Sequence, residues 1–244
     1  MLDYLEAIRL ESDRFYTAAA KADPTLGVPS CPGWDIADLV WHLGEVLWFW
    51  ATDFEIRASD PEAIEKDKPQ RPSTYQELIA FGRSQLDRLL SMLEATPDDV
   101  PVWSWALVET DHTVGFVRRH QVQEAAVHRW DMQSAATTDP PDPIAPEVAS
   151  DSIDELFAIT LPWCVNEKKP LPGTVHVHCT DTEGEWFIHP DGRVEPIHAK
   201  GDVALRGAAS DLLLVFFTRL GIDTIEVIGD ESLARKFVEV INTE

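Results

Sequence analysis

The sequence has few cysteines and few basic residues, and both shortages restrict what the protein can be. Its 244 residues include only Cys31, Cys164 and Cys179, which are widely separated and odd in number. We therefore expect reduced thiols in a cytoplasmic protein and no disulfide framework. Lysine and arginine together number 20 against 43 acidic residues, which gives a net charge of −23. Such a chain repels phosphate backbones and anionic lipids, so neither nucleic acid nor membrane is an expected partner.

Long apolar runs and several common catalytic motifs are also absent from the sequence. No run is long enough to span a bilayer, and the charged residues 1 to 15 lack the apolar centre expected of a signal peptide. There is no HExxH, no GxSxG, no glycine-rich phosphate loop and no catalytic-cysteine signature. The sequence therefore gives no support to a zinc peptidase, a serine hydrolase or a nucleotide-binding enzyme.

The first half of the chain carries four stretches with apolar residues at helical spacing. They cover residues 3 to 22, a segment beginning at Asp35, residues 74 to 95 and residues 114 to 136. A polar, proline-rich segment between the second and third stretches is predicted to be a surface loop. Four amphipathic helices can bury their apolar faces against one another, so we predict a four-helix bundle over residues 1 to 140.

The second half of the chain has a mixed pattern that begins after the proline-rich residues 137 to 147. A helix near 148 to 161 is followed by the alternating segment "TVHVHCT" and by short strands around an Asp191-Gly192 hairpin turn. The segments "SDLLLVFFTRL", "TIEVIG" and "ESLARKFVEVI" then predict a helix, a strand and a closing helix. We predict a small α+β domain over residues 141 to 244, with a mainly antiparallel sheet.

Glu124 and His128 are four residues apart in the predicted helix 114 to 136. Residues at this spacing differ by about 40° around an α-helix and lie one turn apart, so both side chains can reach one ion. A carboxylate and an imidazole are common zinc ligands, but such pairs also arise by chance in helices that bind nothing. His120 lies about 12 Å along the axis from His128, too far for one ion to reach both, and is predicted to be a surface residue.

A third ligand would have to come from another helix, and His42 is the best candidate. It lines up with Leu39 and Val46 and should therefore border an apolar face. Taken alone, His42 is more simply a core histidine with one hydrogen bond. A histidine that faces a Glu/His pair on a second helix is nevertheless the arrangement that bundles use to hold metals.

The histidines of the second half are weaker candidates for metal ligands. His176 and His178 alternate along a strand and so point to the same face, but no third ligand with an evident spacing lies nearby. His189 and His198 flank the predicted hairpin and are most simply polar surface residues. We therefore place the metal site in the first half of the chain.

Two segments, "VPSCPGWDIADLVWHLGEV" and "QEAAVHRWDMQSA", resemble the mycothiol-dependent maleylpyruvate isomerase family. The resemblance implies a DinB-like four-helix bundle in which zinc is bound at the positions of His42, Glu124 and His128. It extends to "GTVHVHCTDTEGEWFI" and "ALRGAASDLLLVFF", which look like the family's C-terminal domain with its fold similar to sterol carrier proteins. Gln123 departs from the family, where many relatives carry a histidine, but the position is not that of a ligand.

The resemblance implies a zinc enzyme that uses a low-molecular-weight thiol, mycothiol, as its nucleophile. Two histidines and one glutamate leave a fourth tetrahedral position open, and a thiol bound there would ionise near neutral pH. The thiolate would add to a maleylpyruvate-like substrate and then depart, which gives the isomerised product. Alternatively, the thiol would be transferred to another small electrophile. The high negative charge of the chain disfavours an anionic substrate. The alternative is a non-catalytic protein of the same fold that bears a metal or binds an apolar ligand.

Four further residues receive roles that the sequence leaves open. Arg206 and Arg219 in the C-terminal domain are candidates to bind an anionic substrate, although both are equally compatible with surface positions. Asp131 is three residues after His128 and either orients its imidazole or is a solvated or salt-bridged aspartate. Cys31 is next to Pro32 at a helix entrance, so we expect a structural role for it.

Overall fold

A computed structural model of the protein shows two compact units, the first ending at Asp142 and the second beginning at Pro143. The structure describes residues 2–58, 60–108, 111–166 and 168–242. The fold is a two-domain α+β arrangement, with helices in the first unit and a five-stranded sheet with helices in the second. No helix among these residues combines the length and the apolar composition needed to cross a membrane.

Four long helices form the bundle of the N-terminal unit. The helices of this unit are α1 (Tyr4–Ala19), α2 (Ile36–Ile56), the short α3 (Pro61–Glu65), α4 (Tyr75–Ala95) and α5 (Val114–Ala136). The most extensive packing joins α2 to α4 and α1 to α5. The leucines at helical spacing on α2 and α4 are buried, which agrees with the sequence pattern.

The start of α2 is fixed by a reciprocal pair of hydrogen bonds. The backbone N–H of Asp38 donates to the side chain of Asp35 over 2.8 Å, and the N–H of Asp35 donates to the side chain of Asp38 over 3.1 Å. This capping box satisfies two N–H groups that the first turn of a helix leaves without partners. The capping box therefore fixes the residue at which α2 begins, and His42 lies about two turns further along this helix.

The segment between α2 and α4, predicted to be a loop, contains the short helix α3. Asp60 precedes the helix and accepts a hydrogen bond from the N–H of Ala63, while Pro61 occupies the first turn. Proline is favourable at that position because its missing N–H would have had no partner in the helix. Ile64 is fully buried and anchors the turn. The polar composition of the segment gave no sign of a helix with a buried isoleucine.

A buried ion pair connects the first and last helices of the bundle. Nε of Arg129 on α5 donates to Oε2 of Glu11 on α1 over 2.6 Å, and both side chains are buried. Loss of one partner from such a pair costs about 3–5 kcal/mol because the other charge stays buried. Adjacent residues of a helix point about 100° apart. With Arg129 directed at α1, the neighbouring His128 is directed towards α2, where its ring contacts His42.

The C-terminal unit is built on a sheet with the strand order β3-β2-β1-β4-β5. Its elements are α6 (Pro146–Glu155), a π-helical turn (Leu156–Thr160), α7 (Leu161–Cys164), β1 (Val175–Cys179), β2 (Glu185–Ile188), β3 (Val194–Glu195), β4 (Val203–Gly207), α8 (Ala209–Phe216), a 3₁₀ turn (Ile222–Thr224), β5 (Glu226–Gly229) and α9 (Glu231–Ile241). The helices α8 and α9 both contact β4.

The sheet is antiparallel except at its centre, where β1 and β4 run parallel. Three of the four strand pairs are antiparallel, which agrees with the mainly antiparallel sheet expected from the sequence. After the β2–β3 hairpin, residues 196 to 202 carry the chain back across to the other side of β1, and β4 then runs in the same direction as β1. Alternation along β1 buries Val175 and Val177 on one face and places His176 and His178 on the other.

Candidate metal centre

The structure brings together the three side chains that the sequence proposes as metal ligands. His42 comes from α2, and Glu124 and His128 come from α5. One potential ligand atom of each lies within 4.8 Å of those of the other two. The rings of His42 and His128 approach nearly at right angles, with centroids 4.9 Å apart. The geometry thus agrees with the expectation of a shared site, while binding of a metal there stays a prediction.

Glu124 lies between two histidines on the same face of α5. Its Oε1 is 3.3 Å from Nε2 of His120, and its Oε2 is 3.5 Å from Nε2 of His128. Burial alone would raise the pKa of Glu124, but its interactions with His120 and His128 outweigh burial and hold the pKa well below its usual value. Glu124 is therefore a carboxylate, which is the form that binds metal.

One oxygen of this carboxylate supplies the test of whether a metal fits. The Oε2 atom of Glu124 is buried, and no group among the described residues donates a hydrogen bond to it within ordinary limits. Its contact of 3.5 Å with Nε2 of His128 is longer than a good hydrogen bond and offsets only part of the cost of burying a charged oxygen. A divalent cation between Glu124, His42 and His128 would remove this cost. The residues present therefore fit a metal ion.

The second nitrogen of His128 is held by a buried aspartate. Nδ1 of His128 lies 3.0 Å from Oδ2 of Asp131, and Ser30 donates a hydrogen bond of 2.6 Å to Oδ1 of the same carboxylate. Because a carboxylate only accepts, Nδ1 carries the proton and the lone pair of Nε2 points to the cluster when the ring is neutral. This answers the question the sequence left open, since Asp131 is fully buried and contacts the imidazole.

The same contacts control the protonation of His128. Burial lowers its pKa, but the hydrogen bond with Asp131 and the attraction of the nearby Glu124 carboxylate together have the larger opposite effect and raise the pKa to about 9. The ring is therefore protonated at neutral pH in the absence of a metal. A proton and a metal ion compete for Nε2, as they do at every histidine ligand.

His42 is held between two rings. Its centroid lies 4.9 Å from that of Trp34 and 4.9 Å from that of His128. Trp34 immediately precedes the capping residue Asp35, so the tryptophan and the histidine are positioned by the same helix start. The Trp34 ring thus forms part of the surroundings of a candidate ligand.

A cavity of about 250 Å³ opens at His42 and Glu124. The other residues along it are Glu45, Val46, Phe49, Trp50, Glu65, Lys68, Trp105 and His120. Nζ of Lys68 lies 2.8 Å from Glu45 and 3.4 Å from Glu65. Sequence analysis identified neither Lys68 nor Trp105, because each comes from an irregular segment in which residue spacing does not predict a direction.

The prediction that His120 is a surface residue was wrong. Its ring is buried, stacks on Phe116 with a centroid distance of 5.6 Å, and meets the edge of Trp105 at 4.8 Å. The irregular segment before α5 places Trp105 over this part of the helix. His120 is not among the three clustered side chains, but its Nε2 lies 3.3 Å from Oε1 of Glu124 and so helps to orient that carboxylate.

The two arginines suggested for substrate binding belong to the C-terminal unit. Arg206 on β4 is half exposed and forms an ion pair of 3.1 Å with Glu226 on β5. Arg219 follows α8, is largely buried, and donates a hydrogen bond of 2.9 Å to the backbone oxygen of Phe217. Neither contact is with the three clustered residues, and a role for Arg206 or Arg219 in catalysis stays a prediction.

The histidines of the sheet differ from what the sequence suggests. His176 and His178 were expected to lack further ligands, but Glu185 and His198 lie beside them, and the four side chains form a second cluster. His189, expected to be a polar surface residue, is half-buried, and its Nε2 lies 3.5 Å from Oε2 of Glu195. Strand register and a loop, which residue spacing does not reveal, assemble this second cluster.

Comparison with known proteins assigns the chain to a family. The sequence model of the mycothiol maleylpyruvate isomerase N-terminal domain matches residues 5–133, a range that includes His42, Glu124 and His128. Crystal structures of the mycothiol-dependent maleylpyruvate isomerase and of a histidine-to-alanine mutant of it share the fold. The mutant has a TM-score of 0.60 and 12% identity, the other structure 0.57 and 14%, and each comparison covers 92% of this chain and 91% of the other. No curated protein matches the sequence. Because the family model covers more than half of the sequence, the chain belongs to the mycothiol maleylpyruvate isomerase family.

Proposed function

We propose that the protein is a zinc-dependent enzyme that uses a low-molecular-weight thiol, mycothiol, as its nucleophile. The observation that carries the proposal is the convergence of His42, Glu124 and His128, two of which line a cavity, with a buried oxygen of Glu124 that receives no hydrogen bond from the described residues. Membership of the family supports the choice of thiol.

Three residues of the site would bind the metal, and a fourth would orient one of these ligands. His42, Glu124 and His128 would bind zinc and leave one tetrahedral position open, as catalytic zinc sites do. Zinc bound there would lower the pKa of a coordinated thiol, so that the thiolate exists near neutral pH. Asp131 keeps the proton of His128 on Nδ1. No cysteine of the protein is needed as a nucleophile.

The walls of the cavity would position the electrophile. Phe49, Trp50 and Trp105 give it an apolar side that excludes water. Lys68 supplies a cation, and its pKa is raised above the usual value chiefly by its hydrogen bond with Glu45. A maleylpyruvate-like substrate would pair a carboxylate with Lys68 on binding. The thiolate would then add to its cis double bond, the resulting single bond would rotate, and departure of the thiol would restore the double bond as trans.

A second candidate function is transfer of the thiol to an uncharged electrophile. The specific observation in its favour is that Glu45 and Glu65 both contact Lys68 and leave the cavity with more negative than positive charge. The net charge of −23 acts in the same direction at long range. The same site and the same thiol chemistry would serve both reactions, and only the electrophile differs.

The test is to incubate the zinc-loaded full-length protein with mycothiol and either maleylpyruvate or a set of neutral alkyl halides and epoxides. Liquid chromatography would follow the trans isomer, and mass spectrometry would follow thiol adducts. We expect turnover with at least one electrophile and none with Glu124→Gln, which keeps the shape of the side chain but removes its charge. Metal-bound protein that gives no product above background with any electrophile would establish the non-catalytic alternative.

A further inference from the structure

A second cluster of metal-ligand side chains lies on the sheet of the C-terminal unit, in a different part of the chain from the bundle site. His176 and His178 point to the same face of β1, and Glu185 on β2 is directly opposite His178 in the antiparallel register. His198 comes from the connection between β3 and β4. Four ligand atoms, one from each side chain, lie within 4.8 Å of one another.

The four side chains meet at a single oxygen atom. Oε1 of Glu185 lies 2.9 Å from Nε2 of His176 and 3.1 Å from Nδ1 of His178, and Nδ1 of His198 also contacts it. A carboxylate oxygen has two lone pairs, so three imidazole donors exceed what it accepts in good geometry. Hydrogen bonding alone therefore does not account well for three histidines around one oxygen.

The spacing of these atoms suits the coordination shell of a small divalent cation. Zinc lies about 2.0–2.2 Å from nitrogen and oxygen ligands, so the ligand atoms of a tetrahedral site are roughly 3.3 Å apart. The separations of 2.9 and 3.1 Å from Glu185 to His176 and His178 are a few tenths of an ångström shorter. Small side-chain rotations would open the cluster enough to admit the ion.

We infer that His176, His178, Glu185 and His198 bind a second divalent transition-metal ion, with zinc the best match to three imidazoles and one carboxylate. Four protein ligands complete a tetrahedron, so this site has no open position and its role is structural. The ion would fasten the connection that carries His198 to strands β1 and β2. This inference does not depend on the bundle site or on the proposed thiol chemistry.

The test counts the metal ions bound by the full-length protein. Protein stripped with a chelator would be titrated with zinc chloride against a competing chromophoric chelator, and elemental analysis would follow gel filtration. We expect two zinc ions per chain in the unmodified protein. His198→Ala is the main variant because this side chain is 79% exposed, so its removal leaves the fold intact. It should retain one ion and lose affinity at the other site by more than the roughly 10- to 100-fold caused by loss of an outer hydrogen-bond partner.

Two further variants make the result specific. Glu185→Gln should also bind one ion, whereas His189→Ala, a histidine of the same hairpin outside the cluster, should still bind two. Two ions retained by both His198→Ala and Glu185→Gln would overturn the inference, as would a single ion in the unmodified protein that His128→Ala removes. A single ion that His198→Ala removes and His128→Ala does not would uphold the sheet site and refute the metal of the proposed function.

Discussion

The two histidine clusters differ in the source of their ligands and in what surrounds them. The bundle cluster takes three side chains from two long helices, and two of them, His42 and Glu124, line a cavity. The sheet cluster takes four from two strands and a loop, and one of its members, His198, is mostly exposed. A site with three ligands and an adjoining cavity leaves room for a reactant, whereas a site with four is saturated by the protein.

From this difference we expect a catalytic role for the bundle cluster and a structural role for the sheet cluster. In the bundle, Asp131 contacts His128 and His120 contacts Glu124, so two of the three proposed ligands are held by neighbouring polar side chains. In the sheet, Glu185 is itself the meeting point of the histidines, and an ion there would hold a loop in place. We therefore expect loss of the bundle metal to abolish chemistry, and loss of the sheet metal to lower stability.

The largest effect should come from His128→Ala, which removes one of three ligands in the bundle. We expect kcat/KM for thiol addition to fall by more than about 100-fold, together with loss of the bundle ion, because the variant lacks both Nε2 and the link to Asp131. Elemental analysis and a turnover assay would measure the two losses. His112→Ala, which removes a histidine of the same unit outside the cluster, is the matched control. Full metal content in His128→Ala would contradict the assignment of ligands.

A smaller loss is expected from Asp131→Asn, which leaves all three ligands in place. The amide binds Nδ1 of His128 less strongly than the carboxylate and no longer enforces one tautomer, so metal affinity should fall about 10- to 100-fold. Competition with a chelator of known affinity would measure the change, and the sheet ion should be unaffected. Affinity equal to that of the unmodified protein would mean that Asp131 serves packing only.

Asp53 is a buried carboxylate of the bundle outside the cluster, and its charge should lower the stability of the protein. Burial raises its pKa to about 7, against the opposing effects of the Ala58 and Trp103 amides and of Arg57. The ordinary value is 3.8. Between these two pH values the folded state binds more protons than the unfolded state, so stability falls as pH rises and the full cost is present above pH 7.

Asp53→Asn should therefore raise the free energy of unfolding at pH 8 by about 2 kcal/mol, after allowance for burying the amide. Below about pH 4 the aspartate is protonated in both states, so the gain should be gone and only the cost of burying the amide should remain. Urea unfolding at several pH values would measure it. Equal gains at pH 4 and pH 8 would show that charge is not the cause.

The smallest effect is expected from Cys31→Ser. Sγ of Cys31 lies 3.9 Å from Oδ2 of Asp131, a contact that a serine hydroxyl can replace. Since the proposed nucleophile belongs to the thiol cosubstrate, we expect kcat/KM to change by less than about twofold, which is well under 1 kcal/mol. Loss of turnover in a variant that keeps its fold and both metals would require a mechanism based on the protein thiol.

The bundle site was largely predictable from the sequence because helices repeat regularly. Glu124 and His128 are four residues apart, and Asp35 marks the start of the helix that carries His42, so their directions follow from 3.6 residues per turn. The burial of His120 did not follow, because Trp105 covers it from an irregular segment. Glu185 and His198 reach His178 through strand register and a loop, and neither is encoded in a fixed spacing. The direction of a side chain on a helix can thus be predicted from the sequence, whereas contacts between distant segments can be identified only in the folded structure.

The ion pair of Glu11 and Arg129 has a consequence for synthesis of the chain. The two residues are 118 positions apart, and at about 5–20 residues per second a ribosome needs roughly 6 to 24 seconds to extend the chain from one to the other. During that interval α1 has no buried partner for its carboxylate and cannot dock permanently. The bundle therefore forms this ion pair only after α5 has been synthesised. Non-native contacts of Glu11 during that interval would delay assembly of the unit.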